Sequence, residues 1–255
     1  MSLKKVLFLG SGDYQSRIIK ELESKSCVVI QTDEKIIKID KSIDLVISFG
    51  YRFIVDEQVI LSSNIPMLNL HISFLPWNRG AHPVFWSFWD NTQSGVSIHM
   101  IDKGIDTGPI LFQRPVFIDA SKESFASAYN KLNLELVDLF IENITLILTE
   151  KLEGKPQHGK STFHFKRNLP SDFSGWNSNI KNEIDRLSKN GFTPYSEELK
   201  IIDQIEQIRN RNNINWMNLL RIVAIEAPDR LTKIVNDINS SDIEISKLLV
   251  KLVNK

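Results

Sequence analysis

Three polar residues, Asn69, His71 and Asp106, have side chains and a spacing in the chain that suit a catalytic site. Asn69 and His71 end the apolar run "MLNLH", where strand alternation puts both side chains on one face. An amide and an imidazolium both donate to a developing oxyanion, and a nearby carboxylate favours the charged imidazole and can take a proton through water. The pattern indicates acyl transfer in which the substrate brings the nucleophile. The alternative is an Asn and a His that only satisfy loop backbone.

The elements that must position these residues alternate between strands and helices. The predicted strands are "KKVLFL", "CVVI", "DLVISF", "MLNLH", "GVSIHMI" and "PILFQRPVFI". The predicted helices are "DYQSRIIKELESK" with Asp13 as its cap, "DEQVIL", "HPVFWSFWD" and residues 122–149. This order predicts an α/β fold, a Rossmann-like mostly parallel sheet with helices on both faces. Such sheets bind ligands beyond the carboxyl ends of their strands, which is where "MLNLH" ends.

Composition restricts the class of protein. The 255 residues include 31 basic and 31 acidic residues, so no net field attracts nucleic acid or an anionic membrane. No apolar run approaches the ~18 residues of a membrane span, and the first 14 residues are too polar for a secretory signal. The single cysteine, Cys27, is predicted to be a buried strand thiol. We therefore expect a soluble, cytoplasmic protein.

Two other ligand classes are disfavoured by local pattern. The turn "GSGDYQ" resembles a dinucleotide fingerprint, but Gln15 stands where the third glycine is needed and Asp13 competes with a phosphate for the helix N-terminus. The five histidines show no H-x-x-x-H or H-E-x-x-H spacing, so no metal site is predicted. His99 is interpreted as a sheet residue, and His164 as a packing residue near the end of a domain.

A longer pattern carries a family resemblance. "NLHISFLPWNRGAHP", residues 69–83, is followed 35 positions after His71 by "DTGPIL". This order and spacing resembles the folate-dependent formyltransferases, which include glycinamide ribonucleotide transformylase, methionyl-tRNA formyltransferase and the N-formyltransferases of nucleotide-linked amino sugars. The resemblance runs over residues 4–165. It implies N10-formyltetrahydrofolate as the formyl donor, a primary amine as the acceptor and no metal.

The resemblance also implies roles for particular residues. Asn69 and His71 would hold the formyl oxygen, and Asp106 would orient and charge His71 and help remove the amine proton. The implied cofactor-binding residues are Ser48, Phe49, Gly50, Tyr51, Phe53, Ile54, Ile101, Asp102, Gly104 and Ile105. Ordinary core packing is the alternative for Phe49. The implied substrate contacts are Trp77, Asn78, Arg79 and His82, whereas Trp86 and Trp89 are expected to pack within a helix.

The rest of the chain bears on which family member this is. We predict a catalytic domain at 1–165 and a helical C-terminal region of unknown role at 166–255, with 14 Lys and Arg against 12 Asp and Glu in the latter. That near-neutral tail does not resemble the basic barrel that binds tRNA, and Asp13 disfavours a small phosphorylated acceptor. The favoured acceptor is a nucleotide-linked amino-deoxysugar, carried by UDP or dTDP. A methionyl-tRNA or glycinamide ribonucleotide formyltransferase, a formate-releasing hydrolase and an idle binding module are the alternatives. A homodimer is left open.

Overall fold

The computed structural model describes residues 3–192, together with residues 240, 242–244, 247 and 250. The strands are β1 (Lys5–Leu9), β2 (Val28–Thr32), β3 (Leu45–Phe49), β4 (Met67–His71), β5 (Arg79–Gly80), β6 (Gly95–Met100), β7 (Ile110–Pro115) and β8 (Phe163–His164). The helices are α1 (Asp13–Ser24), α2 (Glu57–Ser62), α3 (Pro83–Trp89), α4 (Phe125–Thr149) and α5 (Ile180–Lys189), with a 3-10 turn at Lys166–Asn168. The predicted alternation of strands and helices is confirmed.

Six strands form the main sheet in the order β2-β1-β3-β4-β6-β7. The pairs β1–β2, β1–β3 and β3–β4 are parallel, whereas β6 runs antiparallel to both β4 and β7. The sheet is therefore mostly parallel, as predicted, with an antiparallel edge. Because β3 and β4 are parallel, their carboxyl ends meet at one edge, and the antiparallel β6 begins there.

Alternating side chains of the strands build a core on each face of the sheet. One face carries Phe8, Ile47 and Leu68 and is covered by α1, α3, α4 and α5. The other carries Leu9 and Met67 and is covered by α2 and its flanking segments. Helices on both faces make the strands apolar almost throughout, which explains the near-continuous hydrophobic runs of the sequence.

The first compact unit extends to Phe192. Residues 166–192 belong to it because Ile180 and Leu187 of α5 are fully buried in the same core as α4. Asn179 caps α5 by accepting a hydrogen bond from the backbone N–H of Asn182 at 3.1 Å. The domain division predicted at residue 165 stays a prediction, and α5 lies within the region that the sequence predicted to be helical.

The second unit is Thr193–Lys255, and its six described residues have helical backbone. Most of the helical C-terminal region predicted at 166–255 lies outside the described residues, which after residue 192 are only 240, 242–244, 247 and 250. Among the described residues, no helix combines the length and the apolarity that crossing a bilayer requires.

The prediction that Asp13 caps α1 is wrong. The N-cap is Gly12, which has φ 135° and no side chain, and Asp13 is the first residue of the helix itself. Asp13 still places a negative charge in the first turn, where the helix dipole favours it. The predicted burial of Cys27 is confirmed, with 8% of the residue exposed.

Candidate active site

The three residues singled out from sequence meet where β4 ends beside the β6–β7 loop. Asn69 and His71 project from β4 on the face opposite Leu68 and Leu70, which lie in the core under α4. Asp106 lies in the β6–β7 loop with φ 54°, a left-handed conformation that Asp adopts more readily than most residues. The strand pair and this turn together bring the amide, the imidazole and the carboxylate to one place.

The carboxylate of Asp106 is held by two direct hydrogen bonds. Asn69 Nδ2 donates to its Oδ1 at 3.0 Å, and the backbone N–H of Gly80 donates to its Oδ2 at 2.8 Å. His71 Nε2 lies 3.7 Å from Oδ2, which is an ionic contact if the ring is protonated but too long for a hydrogen bond. Asp106 thus orients Asn69 directly and acts on His71 through charge.

The environment of Asp106 keeps it ionised. Burial by itself raises the pKa of this carboxyl, since its side chain is only 11% exposed. The positive charge of a protonated His71, the hydrogen bond and charge of His99, and the Gly80 N–H outweigh burial and lower the pKa well below its ordinary value. Asp106 is therefore a fixed negative charge and a hydrogen-bond acceptor at neutral pH.

The imidazole of His71 is nearly buried, with 10% of its side chain exposed. Its Nε2 lies 3.1 Å from the backbone carbonyl of Asn78. A carbonyl only accepts hydrogen bonds, so this contact requires a hydrogen on Nε2. His71 therefore presents an N–H donor beside Asn69, within the cleft that both residues line.

A second histidine, His99, joins the cluster, and the sequence interpretation missed its position. In the β4–β6 register His99 is paired with Asn69, and its Nε2 lies 3.2 Å from Asn69 Nδ2 and 3.5 Å from Asp106 Oδ1. Its Nδ1 lies 2.8 Å from the carbonyl of Met100, which assigns a hydrogen to Nδ1. A neutral His99 therefore accepts from Asn69, whereas a protonated His99 donates to Asp106.

No sequence signal could have placed His99, because its position depends on strand pairing. The antiparallel register of β4 and β6 is set by tertiary packing, and the β6–β7 ladder shifts register between Ile98 and His99. Bulges of this kind often lie beside active sites, where they re-aim a side chain. "SIHMI" alone shows only an apolar strand with one polar residue.

A further residue that the sequence did not suggest, Gln157, ties the Asp106 loop to Arg79. Gln157 Nε2 donates to the carbonyls of Asp106 at 2.9 Å and Gly108 at 2.8 Å. Its Oε1 accepts from Arg79 Nε at 3.2 Å and Nη2 at 2.7 Å. Neither Gln157 nor Arg79 lines the cleft described below, so the pair supports the loop from outside the reacting centre.

A cleft of about 540 Å³ opens in front of the polar cluster. Its walls include every predicted cofactor-binding residue: Ser48, Phe49, Gly50, Tyr51, Phe53, Ile54, Ile101, Asp102, Gly104 and Ile105. Two of these are exposed isoleucines, Ile54 at 67% and Ile105 at 37%. Exposed apolar side chains in the walls of a cleft provide a surface for an apolar ligand group.

The wall formed by residues 49–55 is fixed from behind. Gln15, the residue that stands in place of a third glycine, is buried and donates through Nε2 to the carbonyl of Phe49 at 3.1 Å. Gly10 approaches the same carbonyl so closely that a β-carbon would lie 2.1 Å from it. Phe49 is 3% exposed and belongs to the core as well as to the cleft. The first turn therefore shapes the cleft wall.

The predicted substrate contacts have different surroundings. Asn78 is fully buried, and its side chain donates to Thr92 at 2.8 Å and accepts from Thr162 at 3.2 Å. Trp77 stacks on Phe74 with ring centroids 6.1 Å apart. Neither they nor Arg79 line the cleft, whereas His82 lines a second cavity. The structure therefore brings His82 alone of the four to an open cavity.

The aromatic residues beyond this turn pack as expected. Trp86 is fully buried and stacks on His164 with ring centroids 3.9 Å apart, while Trp89 stacks on Phe85 at 6.2 Å. His164 Nε2 also lies 2.7 Å from Asp90 Oδ2. Among the residues that the structure describes, no group of three or more His, Cys, Asp or Glu is placed to hold a metal ion.

The comparisons with known proteins identify the family of the chain. The family model described as formyl transferase matches residues 31–144. Methionyl-tRNA formyltransferase of Thermodesulfovibrio yellowstonii is 30% identical over 152 residues, 58% of this chain and 49% of that protein. The bifunctional polymyxin resistance protein ArnA of Wigglesworthia glossinidia brevipalpis is 31% identical over 151 residues, 57% of this chain and 23% of that protein. The chain thus spans half or less of the length of these curated relatives.

Among solved structures, the formyltransferase PseJ from Anoxybacillus kamchatkensis superposes with a TM-score of 0.62 and 34% identity, covering 69% of this chain and 96% of that chain. It was crystallised with UDP-4,6-dideoxy-4-formamido-L-AltNAc and tetrahydrofolate. A 4-N formyltransferase from Francisella tularensis gives a TM-score of 0.59 at 20% identity, covering 72% of this chain and 86% of that chain, a likeness of fold. The chain belongs to the formyltransferase family.

Proposed function

We propose that this protein transfers a formyl group from N10-formyltetrahydrofolate to the amine of a nucleotide-linked amino-deoxysugar. The observation that carries the proposal is the convergence of Asn69, His71 and Asp106 at the floor of the cleft. No side chain among them is an acyl-accepting nucleophile of the serine or cysteine type. The acceptor amine therefore has to attack the formyl carbon directly.

The chemistry of the cleft walls fits a reduced folate. The exposed Ile54 and Ile105 and the Tyr51–Phe53 pair, with ring centroids 5.5 Å apart, offer apolar surface to a bicyclic ring. The loop at Ile101 and Asp102 adds backbone polar groups for the edge of that ring. When bound, the folate supplies an activated formyl group.

The chain's own residues then stabilise charge and guide a proton. Asn69 Nδ2 and His71 Nε2 are the two N–H donors beside the acyl oxygen, where negative charge develops during transfer. In this structure they donate to Asp106 and to the carbonyl of Asn78, and the acyl oxygen would compete for these donors. Asp106, ionised and nearly buried, is a fixed negative charge beside the attacking amine. As the amine attacks the formyl carbon, the bond from that carbon to N10 of the folate breaks, and the proton that the amine loses passes through water to the departing N10.

The acceptor class is supported by PseJ, which has the highest sequence identity of the relatives described above. PseJ is 34% identical, 96% of its chain is covered, and its structure holds a UDP-linked formamido sugar. The methionyl-tRNA formyltransferase match covers only 49% of that protein. Residues 166–255 carry 14 basic and 12 acidic residues, which provides little electrostatic attraction for tRNA.

The test is a panel of acceptors with formyltetrahydrofolate, read by the mass gain of one formyl group. The panel holds UDP- and dTDP-linked 4-amino and 3-amino sugars, glycinamide ribonucleotide and methionyl-tRNA. We expect product from an amino sugar, at a rate that rises with pH until the amine is deprotonated. Product from methionyl-tRNA or glycinamide ribonucleotide, with none from any sugar, would contradict the proposal.

Two controls separate the remaining alternatives. Formate released without any amine would indicate a hydrolase, and no turnover with any amine would indicate a binding module. Asn69→Ala serves as the inactive control, because it removes a donor but leaves the cleft walls intact. Gln93→Ala is the matched neutral control, since Gln93 is exposed and bonds only to the neighbouring backbone of Ser94.

A further inference from the structure

A second cavity, of about 430 Å³, lies beside the cleft. Its lining residues are Ile72, His82, Pro83, Val84, Phe125, Ala126, Tyr129, Asn130 and Trp176. The volume falls within the roughly 300–1,000 Å³ of small-molecule sites. Ile72, Pro83 and Tyr129 line both spaces, so a ligand can extend from one into the other.

The cavity presents aromatic faces that the protein itself leaves partly uncovered. Trp176 is 40% exposed and Tyr129 is 46% exposed. The rings of Trp176 and His82 lie 5.1 Å apart at an angle of 38°. Trp176 is held in place by the ring of Phe173, 4.8 Å away, and its carbonyl accepts from the N–H of Ala126 at 2.7 Å. Anchored, half-exposed aromatic rings provide a stacking surface for a planar ligand group.

Polar groups at the edges of the cavity define the kind of planar group. The side-chain oxygen of Asn130 accepts from the hydroxyl of Tyr14 at 2.9 Å, which leaves its amide N–H groups for a ligand. A pyrimidine base of a uridine or thymidine nucleotide has two carbonyl acceptors for such donors. Lys166, which lines the neighbouring cleft, is exposed and close enough to add to the lowering of the His82 pKa that burial causes. A cation at this position complements a diphosphate.

We propose that this second cavity binds the pyrimidine base and ribose of the acceptor's nucleoside diphosphate, with Lys166 facing the diphosphate. The inference rests on the proposed function for the identity of the acceptor. The amino sugar then extends past Ile72 and Tyr129 to Asn69 and His71. In this assignment the acceptor is recognised by His82 and by the α4 residues that line the cavity. Arg79, which bonds to Gln157, is not part of the acceptor site.

The experiment fills the cavity with a larger side chain. Ala126→Trp places an indole in it, and Leu134→Trp is the matched control, since Leu134 is 44% exposed on the same helix and lines neither space. Asn130→Ala is a milder second variant at an exposed position. For each full-length protein, UDP and dTDP binding is measured separately by calorimetry, together with the KM values for the amino sugar and for the folate. Circular dichroism checks the fold.

We expect Ala126→Trp to weaken binding of the preferred diphosphate and to raise the acceptor KM at least tenfold, with the folate KM unchanged and Leu134→Trp like the wild type. If the folded variants Ala126→Trp and Asn130→Ala bind UDP as tightly as the wild type does, and bind dTDP as tightly as the wild type does, the inference is overturned. If the wild type formylates an amino sugar but binds neither UDP nor dTDP, the inference is overturned and the proposed function stands. If the variants weaken diphosphate binding but the wild type formylates no amino sugar, the nucleotide site is supported and the proposed formyl transfer is overturned.

Discussion

Asn69 and Asp106 are 37 positions apart in the chain and are joined by a 3.0 Å hydrogen bond from Nδ2 to Oδ1. Because Asp106 also accepts from the Gly80 N–H, its two oxygens are held by a residue of β4 and by a residue of β5. The carboxylate therefore sets the orientation of the amide as well as the charge next to His71. This arrangement gives each of the three residues a distinct test.

Asn69→Ala should reduce kcat by about 10²–10³-fold, the usual effect of removing one oxyanion donor. His71→Ala should lose at least as much, because it removes the other donor and the proton-carrying group. Single-turnover rates with an amino sugar measure both effects, with Gln93→Ala as the control. Near-native rates in both variants would show that the acyl oxygen is held elsewhere.

Asp106→Asn should lower turnover sharply with little change in the binding of a stable folate analogue. Both carboxylate oxygens of Asp106 accept hydrogen bonds from N–H donors. The NH2 group of an asparagine at this position would replace one of these oxygens and would clash with the N–H group that donates to it, because both groups are donors. Equal losses in turnover and folate binding would instead indicate that Asp106 only holds its loop.

The same carboxylate links stability to pH. Its pKa is lowered in the folded state, so its contribution to the free energy of unfolding is complete above the unfolded pKa of about 3.9 and is lost as pH falls further. The stability difference between wild type and Asp106→Asn should therefore shrink as the pH falls below about 4. Urea unfolding at several pH values below about 5 measures it, and a difference that grows in this acid range would contradict the assigned sign.

Gln157→Leu should lower kcat by about tenfold, because it releases the carbonyls of Asp106 and Gly108. Arg79→Ala should have a smaller effect of the same kind, since its bonds reach that loop through Gln157. The double variant should be less impaired than additivity predicts, with a coupling of roughly 0.5–3 kcal/mol. A raised acceptor KM with unchanged kcat in Arg79→Ala would support instead the diphosphate contact expected from sequence.

Glu183→Gln should destabilise the segment that carries Trp176. Glu183 is 4% exposed and bonds to Arg186 at 2.8 and 2.9 Å and to the N–H of Ser174 at 2.8 Å. The Arg186 hydrogen bonds, together with Ser174, lower the pKa of Glu183 to about 2 despite burial. We expect a loss of about 2 kcal/mol at neutral pH, typical of a hydrogen bond to a charged group.

The pH dependence of that loss checks its cause. The contribution of the ionised Glu183 is complete above its unfolded pKa of about 4.3 and disappears as pH falls through about 2. Denaturant unfolding of wild type and Glu183→Gln should therefore converge in acid. The exposed pair Lys181–Asp185 on the same helix provides the control, because Asp185→Asn should cost less than about 1 kcal/mol.

The sequence by itself determined the fold class and the local chemistry. Apolar runs with strand and helix periods specify the alternating elements, because each element has to bury one face. Strand alternation puts Asn69 and His71 on one side of the strand, and apolar runs place both residues at its end. These features depend on residues close together in the chain, so local pattern is enough to predict them.

Tertiary structure decided the partners of those residues. His99 reaches Asn69 through an antiparallel register, and Gln157 reaches Asp106 across 51 positions. Arg79 has the side chain of a diphosphate ligand but bonds to Gln157 instead, and Asn78 is buried by Thr92 and Thr162. Such contacts depend on how strands pair and loops pack at long separation, and the residue types alone leave many pairings open. The second cavity has the same origin, since α3, α4 and the segment before α5 enclose it only when they pack together.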